Sequence, residues 1–125
     1  MRAACFVPVA VVLAVLASGC FSEDMSPNIG GAGVTVGNIL FRSNHNGTSN
    51  PAVDTVAAGT TVEWKWVGTG SVSHSTRSTG SPSFTSSAIM TGSGTTYSIE
   101  FTTPGVYTYD CAVHDAAMTG RVIVQ

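Results

Sequence analysis

From Tyr107 to Val124 the chain reads Tyr-Thr-Tyr-Asp-Cys-Ala-Val-His-Asp-Ala-Ala-Met-Thr-Gly-Arg-Val-Ile-Val. An alternating stretch runs into Cys111, a short loop carries His114 and Met118, and a second alternating stretch follows. Alternation of this kind is the signature of half-buried β-strands, so this end of the chain is committed to a sheet. The loop collects a thiol, an imidazole and a thioether, and the spacing Cys111-x2-His114-x3-Met118 is compact enough to wrap one metal ion. Those donors suit copper. A plane of one Cys and two His with a weak axial Met is the geometry of electron-transfer copper. The stretch supplies three of the four ligands, so the rest of the chain must supply one more His and a rigid frame.

The frame reads as all-β. Val34-Thr35-Val36 and Ile39-Leu40-Phe41 are short apolar or alternating runs, and Asn44 to Pro51 is dense turn chemistry. Val53, Thr55 and Ala57 alternate with Asp54 and Val56. After a turn at Ala58-Gly59, Thr60 to Val67 alternates cleanly, with Val62, Trp64 and Trp66 on one face and Glu63 and Lys65 on the other. Arg77 to Gly94 is irregular and is expected to be a long excursion with at most one short strand or helical turn. Thr95 to Phe101 alternates again, and Pro104-Gly105 turns the chain into the terminal pair of strands. Many short strands separated by turn signals predict a β-sandwich or barrel.

The first residues read differently. Arg2 precedes an apolar run from Cys5 to Ala17, and small residues lead into Cys20. The run is short for a membrane span, so residues 1–19 are expected to be a secretory signal of lipoprotein type. Cys20 would then carry lipid, placing the protein in the bacterial cell envelope, periplasmic or on the outer surface. Residues 20–33 have the composition of a flexible tether, and 34–125 would be the folded domain. Cys111 is then the one thiol left in the domain, in a compartment where a free thiol invites oxidation. Metal ligation would both use and protect it. The fourth ligand has two candidates. His74 follows the Trp64/Trp66 strand and a Gly-rich turn, whereas His45 sits in an Asn/Gly loop that reads as solvated surface.

Two blocks carry a family resemblance. One is Asp54 to Trp64 leading to His74. The other is Phe101 to His114, containing Pro-Gly-x-Tyr-x-Tyr-x-Cys-x2-His and followed by Met118-Thr119-Gly120. These resemble the blue-copper proteins, the cupredoxins, and within them the plastocyanin, pseudoazurin and amicyanin branch, over most of the chain from Val34 to Gln125. The resemblance implies a Greek-key β-sandwich with one copper at one end, held by His74, Cys111, His114 and Met118. It also implies that His114 presents its outer edge to solvent, where transient redox partners dock among Ala112, Val113, Ala116 and Ala117, with Asp115 biasing the choice of partner. The chain departs from the family at two points. Three residues separate His114 from Met118, where plastocyanin-like loops usually have four and amicyanin-like loops two. Ser75 follows His74, where the family often has Asn.

The expected function is one-electron transfer between envelope redox proteins, by a monomer bound to the membrane through Cys20. Delivery of copper through the same ligands is the alternative. A net charge of −2 without a basic run gives nucleic acid nothing to bind. No Ser/His/Asp triad or carboxylate pair stands out, so enzymatic activity is not expected. Trp64, Trp66, Phe84, Tyr97, Phe101 and Tyr107 read as core, and Met90 as a gap filler.

Overall fold

The computed structural model describes residues 32–125. The expected signal, the lipidated Cys20 and most of the tether lie outside the described residues. Eight strands follow in order: β1 (Ala32–Gly37), β2 (Leu40–Ser43), β3 (Ala52–Val56), β4 (Thr60–Trp66), β5 (Arg77–Ser78), β6 (Thr96–Phe101), β7 (Gly105–Cys111) and β8 (Asp115–Val124). They form two four-stranded sheets, ordered β2-β1-β4-β6 and β3-β8-β7-β5. From β2 onwards each strand up to β7 lies in the other sheet from its predecessor, which gives the crossed connections of a Greek-key sandwich. Two pairings are parallel, β1 with β4 and β3 with β8, and the others are antiparallel.

Period-two patterning decides which face is inside. In β4, Thr60, Val62, Trp64 and Trp66 are buried while Thr61, Glu63 and Lys65 are exposed. Trp64 is the hub of the interior. It stacks on Phe84 and meets Tyr109 edge-on, with ring centroids 5.8 and 5.3 Å away. Tyr109 crosses from β7 to lie over Gly120 of β8, where any Cβ would overlap its ring and hydroxyl. The glycine is therefore what lets the ring sit between the sheets, and the two residues face each other in register.

Three boundaries differ from the sequence reading. β1 starts at Ala32, inside the stretch assigned to the tether, because buried Ala32 pairs with Val62 despite its glycine-rich neighbourhood. Ile39 is outside β2; it adopts a left-handed φ of 58° in the β1–β2 turn and is exposed. Met118 lies in β8 rather than in the loop. That strand begins at Asp115, but its first three residues are exposed and small, so no alternation announces it.

Candidate metal centre

Cys111 ends β7, Ala112 to His114 form the turn, and Asp115 opens β8. The turn is closed by the His114 N–H donating to the Cys111 carbonyl (3.2 Å) and the Ala117 N–H donating to the His114 carbonyl (3.1 Å). His74 comes from the connection between β4 and β5. Its backbone exchanges two hydrogen bonds with Met90, which fixes the segment without a continuous strand. The separate elements bring His74, Cys111 and His114 together, with ligand atoms all within 4.8 Å of one another. Cys111 Sγ lies 3.9 Å from His74 Nδ1 and 3.5 Å from His114 Nδ1. His74 and Cys111 are fully buried and His114 is half-buried. Met118 is fully buried on the inward face of β8, the face shared by Gly120, Val122 and Val124. His45 is exposed in its polar loop and stands outside the cluster.

Ser75 joins the two segments that bear these side chains. Its N–H donates to Cys111 Sγ at 3.4 Å, and its hydroxyl accepts the Ala112 N–H at 2.9 Å. The short side chain reaches because the backbones lie close together. Burial, with the neighbouring His114, pushes the His74 pKa below its ordinary 6.5, which keeps the ring neutral and able to donate a lone pair. Asp110 points to the other face of β7 as alternation requires. There Arg77 donates to both its oxygens (2.7 and 2.8 Å) and also to Asp115 (2.8 Å). Nothing local along the chain hints at this Arg77 bridge, whose partners lie more than thirty positions away.

The sequence pattern described as "Copper binding proteins, plastocyanin/azurin family" matches residues 42–125, well over half of the chain. The chain belongs to this family. As a cupredoxin it is similar to a purple cupredoxin from Nitrosopumilus maritimus, with 25% identity over 75% of this chain and 99% of that one and a TM-score of 0.58. A reduced Cu(I) form of an amicyanin mutant at pH 4 shares the fold at 22% identity, covering 77% of this chain and 83% of that one, TM-score 0.58. So does part of a copper-containing nitrite reductase from Thermus scotoductus, at 23% identity over 76% of this chain and 22% of that one, TM-score 0.58.

The residues of this cupredoxin fit the copper that its family implies. Metal–nitrogen and metal–sulfur bonds of about 2.0 and 2.3 Å set at trigonal angles put nitrogen and sulfur roughly 3.7 Å apart. The two measured separations, 3.5 and 3.9 Å, bracket that value. One thiol and two imidazoles, with no carboxylate in the group, form a donor set for a soft or borderline ion rather than for calcium or magnesium. Around the half-buried His114, Val113, Ala116 and Ala117 are exposed. Among the described residues no helix is long and apolar enough to cross a membrane.

Proposed function

We propose that this cupredoxin is a one-electron carrier with a single copper per chain, held by His74, Cys111, His114 and Met118. The observation that carries the reading is the clustering of two imidazoles and a thiol, two of the three fully buried, with Cys111 at the end of β7, His114 in the hydrogen-bonded turn that follows and His74 on a segment pinned by its two backbone bonds to Met90. Bound copper supplies the Cu(II)/Cu(I) couple. Cys111 offers a thiolate, and the Ser75 N–H aimed at its sulfur draws off part of the charge. His74 completes the plane from inside. His114 completes it at the surface and gives electrons their shortest way out. Met118 closes the inner end from β8. Val113, Ala116 and Ala117 form a small apolar rim that suits a partner which must dock and leave quickly. The same reading makes the protein a monomer without enzymatic activity, exported to the bacterial cell envelope and tethered through lipid on Cys20, with the domain following a signal at 1–19.

A delivery protein would need its donors accessible so that metal can leave, and burial of His74 and Cys111 argues against that. The test is the visible spectrum and copper content of the purified protein after Cu(II), then after ascorbate. One copper per chain, with an intense thiolate-to-copper band that bleaches on reduction and returns on oxidation, is expected. Cys111→Ser should abolish the band. Loosely held copper without the band would favour delivery, and an unchanged spectrum in the Cys111 variant would remove the site altogether.

A further inference from the structure

Met118 sits where β8 has the least backbone support. On one side, the register with β7 passes from Asp110 opposite Thr119 to Cys111 opposite Asp115, leaving Ala116, Ala117 and Met118 with no β7 partner. On the other side, pairing with β3 begins only at Ala52 opposite Gly120. The side chain of Asn50 fills that second gap. Its Nδ2 donates to the Ala117 carbonyl and to the Ile39 carbonyl, both at 3.0 Å. Its Oδ1 accepts the Thr119 N–H at 3.4 Å and the Phe41 N–H at 3.2 Å. Both amide protons and both oxygen lone pairs are thus used, and this arrangement permits only one orientation of the amide. The four contacts flank Met118 on β8 and Leu40 on β2. One carboxamide therefore does what a neighbouring peptide group does in a ladder, and it ties the two sheets together at Met118. Asn50 itself has a left-handed φ of 41°, a region that Asn tolerates better than most side chains.

We infer that Asn50 is a positioning residue for the axial thioether, holding the Ala117–Thr119 backbone so that Met118 keeps a fixed distance from copper and thereby sets the reduction potential. The inference rests on the electron-carrier reading, because it needs copper beside Met118. An axial thioether stabilises Cu(II) more than Cu(I), so a backbone free to drift outwards favours Cu(I) and raises the potential. The weak axial bond cannot by itself hold an unsupported strand in place.

The experiment uses the full chain loaded with copper. Asn50→Gly keeps the left-handed backbone and removes the amide, and Asn50→Ser is a second neutral variant should the first fold poorly. Redox titration should show a rise equivalent to a three- to tenfold shift towards Cu(I), about 30–60 mV for one electron. In a Met118→Leu background the same substitutions should leave the potential where Met118→Leu alone put it. A merely structural loss would shift both backgrounds alike. Amide hydrogen exchange in the metal-free protein reads the tie without copper: Thr119 should exchange at least tenfold faster in Asn50→Gly, with Val122 unchanged. An unaltered potential, an equal shift without Met118, or unaltered Thr119 exchange would each overturn the inference. If the unsubstituted protein fails to show the copper–thiolate band, the carrier reading falls and the effect on potential falls with it. Thr119 exchange still reports whether Asn50 holds the strand.

Discussion

Ser75 links the two halves of the site with one hydroxyl and one N–H, because the segment from His74 to Thr76 is buried directly against the end of β7. Ser75→Ala keeps the N–H to Cys111 Sγ but strands the Ala112 N–H, at a cost of about 1 kcal/mol. It should also weaken copper retention roughly tenfold, since groups that orient metal ligands commonly have effects of that size. A chelator competition titration beside a urea melt separates the two effects, and unchanged retention would reduce Ser75 to a packing residue. Asp54 is a different case, a carboxylate on the inward face of β3. Ser43 donates to one of its oxygens at 2.6 Å, and the other is buried without a partner. Burial raises its pKa above the ordinary 3.8, with the Ser43 bond and His45 opposing. The unfolded chain therefore ionises at lower pH than the fold. Stability tied to protonated Asp54 is full below pH 3.8 and is lost as pH climbs through the raised native value. Asp54→Asn should flatten that decline. Urea midpoints from acid to neutral pH check it, and a slope equal to that of the unsubstituted protein would show that Asp54 is not its source.

At the scale of elements, the short β5 matters for what it delivers rather than for its two residues of pairing. Arg77 reaches from it across β7 to Asp110 and on to Asp115, the residue after His114, which sits in a left-handed conformation at φ 47°. The bridge braces the turn that carries His114. Arg77→Gln should loosen the turn with little change in global stability, because exposed ion pairs contribute little. Faster amide exchange at His114 and Asp115, with loss of its dependence on salt, is the expected reading. Exchange equal to that of the unsubstituted protein would mean that the turn's own hydrogen bonds suffice. The same elements show what the sequence disclosed. β4 was legible because one face is core and the other solvent, so its burial follows its alternation residue by residue. The cluster was legible in part because Cys111 and His114 lie in one turn and His74 follows a recognisable strand. β8 was clipped at its start because Asp115, Ala116 and Ala117 are all exposed. The four bonds of Asn50 join segments up to 69 positions apart, and nothing local distinguishes it from the turn residues around it. Arg77 and Asp110 likewise meet only because β5 lies beside β7.

At the scale of the whole described domain, the packing between the sheets predicts a frame that stands without metal. Phe41, Trp64, Trp66, Tyr109 and the buried valines of β1, β4 and β8 form a continuous core between the sheets, and the putting together of His74 and Cys111 follows from that packing. Copper would then act as an added crosslink between positions 37 apart along the chain, binding the native state alone and stabilising it by mass action. A hundredfold excess of free ion over its dissociation constant contributes about 2.7 kcal/mol on that basis. The metal-free protein should therefore keep its strand signature in far-ultraviolet circular dichroism and unfold cooperatively, at a lower temperature than the loaded form. Adding Cu(II) should raise the midpoint progressively with free ion, and Cys111→Ser should remove most of that rise while leaving the metal-free midpoint nearly unmoved. Thermal melts of both proteins across a copper titration decide the matter. If the metal-free chain showed no cooperative transition, the sandwich would depend on copper to fold, and its rigidity would belong to the ion rather than to the core.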